Sequence, residues 1–280
     1  RILGECMGKI AILIMAHKPI KYFEGLARDN QQVNFFVHMD IKTNFVNPEI
    51  KNLYFLKDEL RVDVKWGGFS QVQATLNLLS FVFHNSDSEF FHVVSGEDVI
   101  LSTNKNLSET LTWSNSNIFM ELTDSPRHRY RVRFFAPHVE TRWQRKLVGK
   151  LFTFSLKILD KIFITKKDFW FGSNWFSIRR EELKIILNSI TDRDISLFKH
   201  RLNPDEHFFQ YIVVKAGLRN NISLKGNNRY IIFDKRYNNG NNPIYLNADQ
   251  LLKLKNTCSH FFARKVDIDN QLKYYERVNF

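Results

Sequence analysis

The run IAILIMA, from Ile10 to Ala16, is apolar at every position and is followed at once by His17-Lys18-Pro19. A strand with one face in water alternates polar and apolar residues, whereas a strand covered on both faces reads as an unbroken apolar stretch. The run is far too short to cross a bilayer, which takes about 20 residues of helix. It therefore predicts a buried parallel strand ended by the proline. A parallel strand in turn commits the chain to crossovers, usually helices, that cover the faces of a sheet.

The rest of the chain keeps to that plan. A helix is expected near Ile20–Arg28, a strand over Asn34–Asp40 that ends in an acid, and a short strand in LYFLKD. After the turn WGG, the segment FSQVQATLNLLSFVFHN carries apolar residues at helical spacing, and EFFHVVSGEDVIL reads as a strand broken by Gly96. Ser102–Ser116 is polar and predicts a helix, NIFMEL a strand ending near Glu121, and FWFGSNWFSIRREELKIILNSI a turn, a strand and a helix. A further strand is expected over Asn228–Asp234, before an Asn/Gly-rich loop at Asn238–Asn242. This order indicates an α/β fold with a mixed central sheet and helices on its faces. No internal repeat and no linker interrupts it, so a single domain is expected over residues 7–280. Residues 1–6 precede a Met-Gly-Lys that reads as a natural start, and are expected to be an upstream remnant outside the fold. In sheets of this kind ligands bind at the carboxyl ends of the strands. His17, Asp40 and the turn Ser95–Asp98 all fall at such ends.

The net charge of +12 favours a polyanionic partner: nucleic acid, an anionic lipid surface or a phosphorylated small molecule. No paired Cys/His and no aromatic RNP string supports nucleic acid. The cysteines, Cys6 and Cys258, are too few for a disulfide framework or a cysteine metal cluster and fit a reducing compartment. No other apolar run reaches the length of a membrane span.

Five short motifs carry residues suited to chemistry. Asp192-Arg-Asp194 and Asp267-Ile-Asp269 have the spacing of a divalent-metal clamp, but neither follows an apolar strand in the first half of the chain. A surface loop or a helix cap is the expectation for both. Glu97-Asp98 does sit at a strand end, without the intervening residue such a clamp needs. Ala263-Arg264-Lys265, beside two Phe, offers the guanidinium and ammonium that grip a diphosphate, or else a solvated edge. NPDEHFFQYIV, from Asn203 to Val213, opens with residues that suit a helix start. Glu206 is not required for that start, and a carboxylate in such a place can take a proton from an attacking hydroxyl.

Taken in order, LIMAHKP, FVHMD, WGGFSQVQA, HVVSGEDVIL, FGSNWFSIRRE, NPDEHFFQ and FFARKVD resemble the core-2/I-branching N-acetylglucosaminyltransferase family. This is glycosyltransferase family 14, which also holds peptide O-xylosyltransferases. The resemblance runs from Leu13 to Asp267. It implies a GT-A type fold with a Rossmann-like nucleotide-binding half, a UDP-sugar donor, inversion at the anomeric carbon and no metal cofactor. It makes Glu206 the general base, with Asp205 beside it among the sugar contacts, and Lys265 a ligand of the diphosphate. A second cation shares that task, and Arg229, Lys235, Arg236 and Arg264 compete for the role. Asp40 maps to the nucleoside contact, with His17 on the same UDP side. Asp98 maps to the donor sugar, and Glu121, Arg129 or Arg131, and Trp175 to the acceptor side. The sequence departs from the family at Val99 and Ile100, where an aromatic and a proline are usual.

Animal members carry a signal anchor and many cysteines, so the resemblance points here to a bacterial cytoplasmic enzyme transferring GlcNAc to a surface glycan. Xylose transfer is the alternative within the family; a non-catalytic glycan- or lipid-binding protein of the same fold is the alternative outside it. The acceptor of a surface glycan is often lipid-linked. Lys146–Ile164 sets Leu, Phe and Ile at helical spacing around Lys150, Lys157 and Lys161. Such a helix either packs its apolar face on the sheet or lies in the headgroup region of an anionic membrane on its cytoplasmic side.

Overall fold

In the computed structural model, which describes residues 10–101, 116–163, 165, 169–236 and 242–278, the apolar run is strand β1 (Ile10–Ala16). It is paired in parallel on both sides, with β2 (Val33–Met39) and β4 (Phe90–Ser95), so that Ile10 lies opposite both Val33 and Phe90. β3 (Leu53–Phe55) extends the parallel part beyond β2. On the far side β9 (Ser177–Arg179) joins β4 antiparallel, and β6 (Ile118–Phe119) pairs antiparallel with β9. The order β3-β2-β1-β4-β9-β6 is a mixed sheet in an α/β domain, as the element order predicted.

Both faces of β1 are covered, which is why it carries no polar residue. Ile10, Ile12 and Ile14 pack with helices α1 (Lys21–Asp29) and α9 (Ile268–Arg277), while Ala11 and Leu13 pack with α2 (Phe69–Asn85) and α7 (Phe208–Lys215). Burying an Ile or Leu side chain is worth about 1.5–3 kcal/mol over leaving it exposed, so both faces contribute to holding this strand at the centre.

A second sheet, β10-β11-β5, is built from β10 (Arg229–Ile231), β11 (Phe262–Arg264) and β5 (Asp98–Ile100). β5 follows β4 after the Gly96 turn, and its antiparallel pairing with β11 sets Arg264 opposite Asp98. That register carries the Ala-Arg-Lys motif to the carboxyl end of the parallel strands. A ribbon of β7 (Thr123–Asp124) and β8 (Trp170–Phe171) stands apart from both sheets. The strand expected over Asn228–Asp234 is confined to Arg229–Ile231. Beyond it Asp234 turns to hold the backbone N–H of Arg236, a local bond that competes with a ladder.

Both Asp-x-Asp strings are helix starts. Thr191 and Asp194 form a reciprocal capping box at the head of α6 (Asp192–Phe198), and Asp267 accepts from Asn270 N at 2.9 Å at the head of α9. The remaining helices are α3 (Tyr130–Arg133), α4 (Leu147–Ile162), α5 (Arg180–Ser189) and α8 (Ala248–Thr257). The expected helix over Ser102–Ser116, most of the Asn/Gly-rich loop and the leading residues 1–6 lie outside the described residues.

Candidate functional site

The carboxyl ends of β1, β2 and β4 open into a cavity of about 730 Å³. Its walls include His17 after β1, His38 and Asp40 at the end of β2, Glu97 after β4, and Arg264 and Lys265 at the end of β11. Asn174 and Trp175 close another side.

Arg264 and Lys265 are held by adjacent acids. Arg264 Nη1 donates to Asp98 Oδ1 at 2.7 Å, and its guanidinium lies 4.7 Å from the centre of the Trp175 ring. Lys265 Nζ is 2.8 Å from Glu97 Oε2, and Lys18 Nζ is 3.0 Å from the other oxygen of the same carboxylate. Burial pulls the Lys265 ammonium down, but its bonds to Glu97 and to the Tyr245 hydroxyl outweigh this and place its pKa above the ordinary lysine value. Burial likewise pushes Glu97 up, and the two lysines bring it below the usual carboxylate range. Lys265 therefore stays charged, and one Glu shared between two Lys leaves positive charge over for an anion.

On the wall at the end of β2 Asp40 is buried, accepting from Lys42 N at 3.0 Å and lying 3.2 Å from Lys42 Nζ. His38 is buried behind it and accepts from Val62 N at 3.0 Å, and burial pulls its pKa down to about 4. Burial also lowers His17. A cavity with neutral imidazoles, paired carboxylates and two held cations suits a ligand that is part heterocycle and part polyanion.

A second constellation surrounds Glu206. The chain reaches it through Asn203, in the left-handed region at φ 47°, and a single 3₁₀ turn, Pro204–Glu206. The Arg131 guanidinium, from α3, donates directly to Glu206 Oε2. Burial raises the Glu206 pKa, Arg131 opposes this, and Glu121 nearby pushes the same way as burial. Asp205 is buried beside it, with no hydrogen-bond partner at Oδ1, and burial together with the Glu206 charge raises its pKa. The two carboxyls thus favour sharing one negative charge, with Glu206 ionised against Arg131 and Asp205 protonated. His207 is buried next to them, donates from Nδ1 to Trp170 O at 2.7 Å, and is held neutral by burial with a pKa of about 3. Its ring lines a separate cavity of about 460 Å³, with Trp170, Phe198 and Tyr211.

Glu206 is not among the residues lining the strand-end cavity. Residues 172–175 connect the two. Gly172 N donates to Glu206 O at 3.0 Å, Ser173 N to Glu121 Oε2 at 3.1 Å, and Asn174 and Trp175 then line the cavity. A Cβ on Gly172 would sit 1.9 Å from Glu121 O, so only glycine allows the chain to pass there. The NPDEH helix start is thus a turn as well as a carboxylate site. The aromatic run after it is buried, with Phe208, Phe209 and Ile212 in the core under the sheet.

Of the residues singled out from sequence, His17, Asp40, Trp175, Arg264 and Lys265 meet in the cavity, and Glu121, Arg131, Asp205 and Glu206 meet at the turn. Five do not serve where they were expected. Arg229 is fully enclosed and donates to Val93 O at 2.8 Å and Phe176 O at 3.0 Å, so it braces strand ends rather than facing a diphosphate. Arg236 is on the surface, paired with Asp234 at 2.8 Å, and Lys235 next to it is exposed. Arg129 grips Asp160 at 2.7 Å together with Arg133 at 3.0 Å, a clamp on α4. Asp98 has no exposed surface. One of its oxygens takes Arg264 and the other the N–H of Ser95 at 2.8 Å, so it anchors the cation instead of touching a sugar. Glu97 was legible as a strand-end acid, though not as a partner of Lys265. His38, two residues before Asp40 in FVHMD, and Tyr245 were not singled out; His38 sits in the motif that gave Asp40, and Tyr245 depends on which turn the tertiary fold brings to that end.

No group of three or more His, Cys, Asp or Glu among the described residues is arranged to hold a metal ion. No curated protein matches the chain significantly. A family model described as Core-2/I-Branching enzyme matches residues 10–249, which takes in β1, the strand-end acids, the 172–175 segment and the Glu206 turn. On that match the chain belongs to the Core-2/I-branching enzyme family of glycosyltransferases.

Proposed function

We propose that the protein transfers a sugar, GlcNAc, from UDP to a hydroxyl of a glycan acceptor, with inversion and without a metal ion. The observation that carries this reading is that Arg264–Lys265 and Glu206 lie at the two ends of one hydrogen-bonded connection, residues 172–175. In this reading the acceptor oxygen attacks the anomeric carbon as Glu206 removes its proton, and the bond to UDP breaks on the opposite side. The electrons of that bond leave on the diphosphate, where Lys265 and Arg264 neutralise them in place of a divalent cation. Asp40 and His17 face the nucleoside, and Glu121, Arg131 and Trp175 the sugars. Arg131 holds Glu206 ionised and in place until the hydroxyl arrives.

UDP release measured with UDP-GlcNAc and with UDP-xylose, each in excess EDTA, tests the proposal. Release with the first and little with the second is expected. Release that stops with chelator and returns with manganese overturns the metal-free step, and preference for UDP-xylose overturns the sugar. Calorimetry supplies an independent reading of the cavity. Lys265→Ala is expected to weaken UDP binding about tenfold or more, the scale of a charge-assisted bond, and an unchanged affinity removes Lys265 from the site.

A further inference from the structure

Helix α4 (Leu147–Ile162) presents its apolar face outward. Leu147, Leu151, Phe154, Ile158 and Ile162 recur at helical spacing along one stripe, and Leu147, Phe154 and Ile162 are 71%, 61% and 64% exposed. Its inward stripe is only Gly149, Leu156 and Asp160. Leu156 belongs to a small cluster with Ala136, Val139 and Leu202, not to the cores on either side of the sheet. A Cβ on Gly149 would lie 2.3 Å from Trp143 O, so the first turn packs closely on the segment before it, and the inward side is pinned to α3 by the pair of arginines on Asp160. The outward face is thus fixed in place. The reading in which this helix buries its apolar side on the sheet does not hold.

Charge decides what could cover such a face. Lys150, Lys157 and Lys161 form a third stripe along its flank, and all three are exposed. Asp160 is the only acid in the helix, and it is buried and paired. At the amino end Trp143 is exposed, with Arg142 at 5.0 Å and Lys146 at 5.7 Å from its ring. A second copy of the chain docking through this face would add its own lysine stripe to the same interface and bring no exposed acid from the helix to pair with either, because a two-fold interface uses the same patch on both subunits. An anionic bilayer offers the complement: acyl chains for the apolar stripe and phosphates for the lysines, with Trp143 at the headgroup level. No helix among the described residues is long and apolar enough to cross a membrane, so the contact would be in the plane of the surface.

We propose that α4 docks the protein onto an anionic lipid bilayer, lying in the interface with its outward stripe down. The patch adjoins the candidate site: Arg145 and Trp66, which line the strand-end cavity, stack at 4.8 Å just before the helix begins. Docking by α4 therefore sets that cavity beside the headgroups.

Sedimentation of the full chain with vesicles tests this apart from any transferase activity. The chain is expected to pellet with phosphatidylglycerol/phosphatidylcholine vesicles at low ionic strength, to stay in solution with phosphatidylcholine alone, and to be released by high salt. Replacing Lys150, Lys157 and Lys161 with Glu is expected to weaken partition on the order of 100-fold or more. Leu151→Ser with Phe154→Ser and Ile158→Ser should abolish it, with melting temperature and UDP affinity unchanged. Three results would each overturn the proposal: no pelleting with anionic vesicles at low salt, full pelleting by the serine variant, or a lipid-free dimer that the serine variant dissolves.

Discussion

Glu206 can act as a base only while it is ionised, and its ionisation rests on opposed neighbours. Burial and Glu121 favour its protonated form, and Arg131 favours its carboxylate. Glu206→Gln removes the proton acceptor while keeping the shape of the turn. It is expected to leave UDP binding intact and to lower turnover roughly 100-fold or more, and equal turnover at saturating substrate would remove Glu206 from the role. Arg131→Met removes the cation that keeps Glu206 charged. The Glu206 pKa then rises, so the acid limb of the kcat/KM profile should move to higher pH. A limb that stays in place, or moves to lower pH, would show that Arg131 does not set this charge. Asp98 illustrates the converse. It bears on the cavity only through the cation it anchors, and its substitution removes one partner of a buried ion pair, which costs about 3–5 kcal/mol.

At the scale of elements, the joint between the two halves of the site is the passage of residues 172–175 beneath Glu121. It works because Gly172 has no side chain where Glu121 O stands and Gln210 Nε2 closes in at 3.0 Å. Gly172→Ala is expected to cost about 1–3 kcal/mol by overpacking. It should also lower turnover by more than its effect on UDP affinity, since it shifts Glu206 relative to the cavity without touching Lys265. Thermal melts and calorimetry on the same variant check this, and a stable variant with parental turnover would show the passage to be tolerant. The helix starts are robust for the opposite reason. Thr191–Asp194 and Asp267–Asn270 close their own bonds within a turn and depend on no distant partner.

For the molecule as a whole, two buried neutral histidines link folding to acidity. An unfolded histidine takes up a proton near its ordinary value of 6.5, whereas His38 resists until about 4 and His207 until about 3. A lowered histidine pKa means that the unfolded chain binds more protons in that window. Stability is therefore complete above about pH 7 and falls as pH drops below 6.5, by about 1.4 kcal/mol per pH unit for each histidine. Asp205, raised by burial, acts in the opposite sense, so the clean measurement is a difference between variants. His38→Gln can still accept from Val62 N and does not titrate. Its loss of stability between pH 7 and pH 5 in urea melts should be smaller than the parent's by roughly 2 kcal/mol. Parallel curves for the two proteins would contradict the link.

The alternation of apolar runs and amphipathic segments by itself determined the sheet, its parallel core and the faces of β1, because burial on one or both faces leaves a local pattern in each strand. The same held for α2, read from its spacing to the residue, and for the Asp-x-Asp strings, since capping is a matter of neighbours along the chain. Glu206 and Lys265 could be singled out as candidates because their motifs are contiguous. What the tertiary structure alone decided is which cations face the cavity and which way α4 turns its stripes. Arg229, Arg236, Arg129 and Arg264 look alike in sequence. One braces buried carbonyls, one is paired on the surface, one clamps a helix, and only Arg264 is brought beside Lys265 by the register of β11 on β5. An amphipathic pattern states that a helix has an apolar face, and not where that face points. The direction follows from long-range contacts, here the two arginines on Asp160, which no periodicity records.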